Sequence, residues 1–266
     1  MIGRPQTKGE KGMRERRLIR CCLVTTALAM TILSVPSPAQ EQQRNIRSVL
    51  FVKVKADRVG DWKAAVKDYA ALMKKAGVEQ GFTAWSAQSG PDEYAIVWYS
   101  ANWKELDQSG DPKIKPVAAD LARIIARLQG ASASLETWVD EIQPDLVVRS
   151  KELPKMVRTG RIRVAYGKTD DVLAIFRSDT LPAMKKAGVS DFGVAIARFG
   201  TPNNEIHTYS SFNGWADLDA PYGVQKGMSD EAYKAYQAKL RPIVESIEWT
   251  MWRFEPDLSY VPELKP

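Results

Sequence analysis

Hydrophobic and polar residues alternate along Val49–Lys55, which places aliphatic side chains on one face of a predicted strand. The period then changes to that of a helix, with apolar residues three or four positions apart until Gly77, a residue type that commonly ends helices. Two more strands, near Phe82–Ala87 and Tyr94–Ser100, precede a second amphipathic helix and a last strand at Leu135–Ile142. The pattern predicts the order βαββαβ for this part of the chain.

The same plan recurs in the second half of the sequence. The hexapeptide Met73–Val78 is repeated without change at Met184–Val189, 111 residues later. The tripeptide Pro144–Leu146 returns at Pro256–Leu258, 112 residues later. Matching landmarks in the same order at nearly the same spacing indicate internal duplication.

We therefore predict two homologous units, residues 45–147 and 156–259, joined by a charged linker, residues 148–155. The order βαββαβ is that of the ferredoxin-like fold, in which helices cover one face of the sheet. The second face is left bare, and two such sheets can cover each other. The predicted fold class is α+β, with two tandem ferredoxin-like units packed sheet to sheet.

In each unit a tryptophan-led segment follows the predicted third strand at once: Tyr99 leads to Trp103, and Tyr209 leads to Trp215. This arrangement resembles the dimeric α/β-barrel superfamily, and its nearest-looking members are the antibiotic-biosynthesis monooxygenase-like and NIPSNAP-like domains. The resemblance implies a dimeric α/β barrel, closed here within a single chain. Most members of the superfamily pair two single units, so either a monomer or a homodimer is compatible with it.

The first 39 residues have the three parts of an export signal. A cationic stretch, Arg14–Arg20, precedes an apolar run of 15 residues, Cys21–Val35, and small residues follow at Ser37 and Ala39. The run is shorter than the roughly 20 residues that span a bilayer as a helix. We predict a signal peptide at residues 1–39 and a periplasmic or extracellular protein that is free of the membrane after cleavage.

The charge balance changes when this segment is removed. The whole chain has 38 Lys and Arg against 32 Asp and Glu, a net charge of +6, but the first 39 residues hold 7 of the basic and 2 of the acidic residues. The remainder has 31 basic and 30 acidic residues. Nucleic-acid binding needs a concentrated surplus of cations, so the composition excludes a nucleic-acid partner.

Reactive side chains are scarce. His207 is the single histidine, and the two cysteines, Cys21 and Cys22, lie within the predicted signal peptide. The mature chain therefore lacks the residues for a multi-histidine or zinc–thiolate site. We predict no metal and no cofactor, and no catalytic residue can be named.

A polar cluster is nevertheless predicted on the inner face of the second unit. His207 and Tyr209 share one face of a predicted strand with Glu205, while Arg161 and Arg163 alternate with aliphatic residues on another strand. Arginines favour an anionic ligand and aromatic walls a planar one. The predicted ligand-binding residues are Arg161, Arg163, His207, Tyr209 and Trp252.

The first unit has Ala95 and Val97 where the second has Glu205 and His207. This apolar pair is typical of a surface packed against helices, so the polar cluster is expected in the second unit alone. A register shift of one residue would turn the whole cluster to the opposite face. A hydrogen-bonded, purely structural histidine is the competing interpretation of His207.

Three functions remain open at this stage. The first is an exported protein that binds a small aromatic or anionic ligand, or is chiefly structural. The second, implied by the resemblance, is a cofactor-independent monooxygenase acting on a phenolic or aromatic substrate. The third is haem binding through His207.

Overall fold

The computed structural model describes residues 45–88, 93–107, 111–150 and 152–262. The predicted signal peptide, residues 1–39, lies outside these residues. Within the described ranges, no helix is both long and apolar enough to cross a membrane.

Strands and helices follow one another in an α+β order that repeats once. In chain order they are β1 (Ile46–Val54), α1 (Val59–Ala76), β2 (Thr83–Ala87), β3 (Glu93–Ser100), α2 (Ala118–Ala131), β4 (Ser132–Val148), β5 (Met156–Val164), α3 (Thr169–Ile175), α4 (Leu181–Lys186), β6 (Phe192–Phe199), β7 (Glu205–Phe212), α5 (Val224–Gly227), α6 (Asp230–Leu240) and β8 (Val244–Phe254).

The eight strands form one closed antiparallel barrel in the order β1-β3-β2-β8-β5-β7-β6-β4. The first half of the chain contributes the neighbours β4-β1-β3-β2, and the second half contributes β8-β5-β7-β6 in the same relative order. The halves meet at two seams, where β2 pairs with β8 and β4 pairs with β6. The predicted α+β barrel is confirmed, and one chain closes it.

The repeated hexapeptide ends a helix in each half. Gly77 (φ 68°) and Gly188 (φ 75°) adopt the left-handed conformation that favours glycine. Each donates its N–H to a carbonyl three residues earlier, and the valine that follows donates to the methionine that opens the hexapeptide, all at 3.1 Å. This is the Schellman arrangement of a helix C-terminus. The repeat therefore preserves the signal that stops a helix.

Alternation along each strand separates the barrel interior from the helix-covered outside. Val49, Trp85, Ala95, Val157 and Trp252 pack together inside the barrel. The expectation that Ala95 and Val97 pack against helices is wrong, because both belong to this inner cluster. Small barrels are filled by side chains, so apolar residues line both faces and hydrophobicity alone does not tell the two apart.

Helices cover the outer surface of both halves. In the first half, Trp62 and Val66 of α1 pack over Val52 and Ala84. In the second half, α3, α4 and the turn between them close over β5, β6 and β7. The buried residues of this second core are Ile162, Val164, Val172, Leu173, Phe176, Met184, Val194 and Ile206.

Candidate functional site

A chain of charged and polar side chains crosses the barrel interior. Arg47 Nε lies 3.0 Å from Asp140 Oδ2, and Asp140 Oδ1 lies 2.9 Å from Nδ1 of His207. The other ring nitrogen, Nε2, lies 3.3 Å from Glu205 Oε2. These four side chains are buried, and they come from β1, β4 and β7. Arg47 and Glu205 lie at the two ends of the network and are 158 positions apart in the sequence, so it is the closure of the barrel that brings them near each other.

The two predicted arginines extend this network towards solvent. Nη2 of Arg161 and Nη2 of Arg163 each lie 3.1 Å from an oxygen of Glu205. Their side chains are 33% and 46% exposed, whereas Glu205 is buried. The guanidinium of Arg161 also lies 4.5 Å from the ring centroid of Trp138. Glu205 is therefore neutralised by two cations at the wall of the barrel.

The surrounding cations keep both buried acids ionised. Burial alone would raise the pKa of Asp140, but the charge of Arg47 and the hydrogen bond from His207 hold it below its ordinary value. Burial opposes ionisation of Glu205 in the same way, and hydrogen bonds from Arg163 and Arg161 lower its pKa. Buried charges are tolerated when they are paired and hydrogen-bonded. The network has the properties of a buried ion-pair network that stabilises the packing of the barrel strands.

All five predicted ligand-binding residues lie on the inner face, in the strand register that their pattern predicts. Arg161, Arg163 and His207 belong to the charged network. Tyr209 packs over Gly193 and its ring lies 5.7 Å from the guanidinium of Arg47. Trp252 belongs to the apolar inner cluster and donates its indole N–H to Thr159 Oγ1 at 2.9 Å. Their role in binding a ligand stays a prediction.

Arg47 and Asp140 were not identified from the sequence, although each carried a signal. Arg47 shares the inward face of β1 with Val49, at the end where the alternation first becomes visible. Asp140 is an acid in the middle of a strand whose neighbours Trp138 and Ile142 are buried. A lone acid on a buried strand face requires a partner, but the sequence does not say on which strand that partner lies.

A cavity of about 240 Å³ lies on the other side of the sheet in the first half, beneath α1 and α2. Its wall is predominantly aliphatic and aromatic, and none of the five predicted residues contributes to it. The strands supply Ser48, Leu50, Val52, Ile96, Trp98, Ser132, Leu135, Thr137 and Val139; the helices supply Trp62, Val66, Tyr69, Met73, Ile125, Leu128 and Gln129; connecting segments add Val78, Gln80, Gly81, Phe82 and Leu106.

One polar atom in this wall has no partner. The indole Nε1 of Trp98 is buried and makes no hydrogen bond within the described part of the chain. Buried indole N–H groups usually find an acceptor, and an unmet one is costly. The aliphatic and aromatic wall of the cavity is suited to a planar apolar molecule. The cavity could not be predicted from the sequence. Amphipathic patterns show which helix residues face the sheet, but they do not show whether those side chains fill the space between helix and sheet.

Haem ligation through His207 does not fit this structure. Both ring nitrogens lie within 3.3 Å of a carboxylate oxygen, and the side chain is buried among the inner residues of the barrel. Neither nitrogen is free to approach an iron atom. Among the residues that the structure describes, no three His, Cys, Asp or Glu side chains are grouped so as to hold a metal ion.

No protein-family model and no curated protein matches this sequence. Solved structures do share its architecture. A candidate monooxygenase from Lactobacillus acidophilus NCFM matches with a TM-score of 0.56 at 10% identity, covering 80% of this chain and 94% of its own. One from Fusobacterium nucleatum matches with a TM-score of 0.56 at 15% identity, covering 79% and 91%. An anthrone oxidase-like protein gives a TM-score of 0.52 at 11% identity, covering 80% and 92%.

At these identities the similarity concerns the fold alone. The matches cover 91–94% of the matched chains and 79–80% of this one. The resemblance based on the repeated strand–tryptophan segments is confirmed at that level. The chain therefore has the dimeric α/β-barrel fold that is seen in these monooxygenase-like structures.

Proposed function

We propose that this protein is an exported binding protein for a small aromatic molecule, held in the cavity beneath α1 and α2. The observation that carries the proposal is the apolar cavity, whose wall includes Trp98, a residue with an indole N–H that has no partner among the described residues. Export rests on the signal-peptide pattern of residues 1–39. The ligand differs from the one expected in the barrel interior, because the cavity wall is apolar and lacks arginine.

The size and polarity of the cavity limit the ligand. Its 240 Å³ lies just below the roughly 300–1,000 Å³ of typical small-molecule pockets, which favours one or two fused rings. Apolar cavities are poorly hydrated, so an apolar ligand displaces little bound water and gains contacts with the wall. A carbonyl or phenolic oxygen on the ring system would satisfy Trp98.

We also propose that the halves are two ferredoxin-like units, residues 45–147 and 156–259, joined by residues 148–155. Support comes from the identical strand order in each half and from the equivalent helix ends at Gly77 and Gly188. Under this proposal the cavity occupies the cleft between sheet and helices of the first unit. A ligand there is enclosed by one unit.

Titration with 2-acetylnaphthalene tests the binding function. We expect saturable binding in calorimetry, with a change in tryptophan fluorescence because Trp62 and Trp98 lie in the cavity wall. Leu128→Trp should abolish binding by filling the space. Leu240→Trp, at the equivalent position of the second half, is the matched control and should bind as the parent protein does. The proposal fails if the parent protein shows no binding, or if Leu128→Trp is folded and binds equally well.

The donor at Trp98 favours a second candidate, cofactor-independent oxygenation of a phenol. An indole N–H that donates to a phenolate oxygen in an apolar site stabilises negative charge on that oxygen. With 1-naphthol the reaction would consume one O₂, place one oxygen atom on the ring as 1,4-naphthoquinone and release the other as water. Oxygen uptake above the protein-free rate, lowered in Trp98→Phe, would support it. Binding without oxygen uptake would exclude oxygenation and leave binding as the proposed function.

A further inference from the structure

The cleft on the outer face of the second half has a different chemistry from the cavity. In the first half Ser48 pairs with Trp98 and Val139, and all three line the cavity. The equivalent position in the second half is Arg158, which pairs with Ser210 and Met251. A guanidinium therefore occupies the cleft where the first half has a serine.

Arg158 is surrounded by aromatic rings. Its guanidinium carbon lies 4.3 Å from the ring centroid of Trp249, 5.4 Å from that of Phe212 and 5.7 Å from that of Tyr222. Ring faces attract a cation and shield it from water. Because the rings cover the face of the planar guanidinium, an anion can approach only at its edge, where the N–H groups point.

No anion of the described chain meets this cation. Nε of Arg158 is buried without a hydrogen-bond partner, and the neighbouring groups that act on its pKa are two phenols, Tyr222 and Tyr233. Burial lowers the pKa of Arg158, yet an arginine stays charged at neutral pH. Within the described residues it is the only partly buried arginine that lacks an ion pair, whereas Arg47, Arg161 and Arg163 each contact a carboxylate.

The aromatic part of the cleft depends on a glycine. A Cβ on Gly160 would lie 2.5 Å from Cζ3 of Trp249 and 2.7 Å from Oγ1 of Thr208. The absence of a side chain therefore lets the indole lie across β5 beside Arg158. Trp249 remains 51% exposed, which leaves much of its ring available to a further planar group.

We propose that the cleft of Arg158 and Trp249 binds an aromatic carboxylate. The carboxylate pairs with the edge of the guanidinium, whose planar fork matches two carboxylate oxygens, and the ring of the ligand packs on the exposed part of Trp249. This site is separate from the cavity of the first half and from the charged network of the barrel. It does not depend on the function proposed for that cavity.

A pair of probes that differ in charge tests the proposal. The affinities of 2-naphthoate and of neutral 2-naphthamide are measured by calorimetry in the parent protein and in Leu128→Trp, in which the first cavity is filled. In Leu128→Trp we expect naphthoate to bind at least about 10-fold more tightly than naphthamide, because charge-assisted pairing adds to ring packing. Equal affinities of the two probes in Leu128→Trp, whose filled first cavity cannot take up the neutral probe, would overturn the proposal without the need for any variant at Arg158.

Variants in the cleft locate the site. Arg158→Met keeps the aliphatic packing and should reduce naphthoate affinity to that of naphthamide. Arg253→Met removes an exposed arginine from the outer face of the adjacent strand β8 and should leave both affinities unchanged. Unfolding is monitored by circular dichroism, and Arg158→Lys, which keeps the charge but loses the fork, should give an intermediate affinity. A folded Arg158→Met that binds naphthoate as tightly as the parent protein would place the anion elsewhere.

Discussion

Asp140→Asn removes one negative charge from the centre of the barrel network while keeping the size of the side chain. Asp140 is fully buried and accepts hydrogen bonds from Arg47 on β1 and contacts Nδ1 of His207 on β7. The amide cannot balance the charge of Arg47, which is itself buried. The variant therefore leaves a cation without its counter-charge inside the barrel.

Removing one member of a buried ion pair typically costs about 3–5 kcal/mol of unfolding free energy. That is a large part of the roughly 5–15 kcal/mol by which most proteins are stable. For a chain of this size, each kcal/mol corresponds to roughly 2–4 °C in the melting temperature. We expect Asp140→Asn to melt at least about 6 °C below the parent protein.

Urea denaturation followed by far-ultraviolet circular dichroism at pH 7 measures this loss. The matched control is Glu141→Gln, the next residue of β4, whose ion pair with Arg198 is 35% and 43% exposed. Exposed pairs contribute about 0–1 kcal/mol, so the control should stay close to the parent. Arg47→Met combined with Asp140→Asn should recover part of the loss. The reasoning is refuted if Asp140→Asn is no less stable than Glu141→Gln.

Two further predictions concern pH and the aromatic cleft. The pKa values of Asp140 and Glu205 are lower in the folded than in the unfolded protein. Their contribution to stability is therefore present above the unfolded values near 4 and is lost as the pH falls through the folded values. The urea midpoint should decrease below pH 4, and the decrease should be smaller in Asp140→Asn. Gly160→Ala should displace Trp249, change the near-ultraviolet circular dichroism and cost about 1–3 kcal/mol, whereas Gly60→Ala, with no atom within 4 Å of the added Cβ, should not destabilise.

Much of the fold could be predicted from the sequence because its signals are local. The hexapeptide that ends at Val78 and Val189 marks two helix ends through hydrogen bonds within a single turn. The inward direction of His207 follows from strand alternation. Ala95 shows the limit of this reasoning, because a small apolar residue suits either face of a barrel wall.

The candidate sites depend on contacts between distant parts of the chain. Asp140 receives Arg47 because β1 and β4 are neighbours, which no local pattern states. The cavity depends on whether the side chains of α1 and α2 fill the space above Trp98, a question of volume that hydrophobic spacing does not address. Arg158 is distinguished by its aromatic neighbours and by the lack of a carboxylate partner among the described residues, and both features depend on strands that are distant in sequence.

The two halves of this barrel, which meet at the seams β2–β8 and β4–β6, belong to one chain. A mutation can therefore change one half alone, which is impossible in a barrel built from two identical chains. When two identical chains build a barrel, every substitution appears twice, once in each cleft. Here one gene encodes both halves, so each cleft changes alone. Ser48 and Arg158 occupy equivalent positions but differ in charge. Leu50 and Gly160 also occupy equivalent positions but differ in side-chain volume. A single polypeptide can thus offer two different recognition surfaces on one pseudo-symmetric frame.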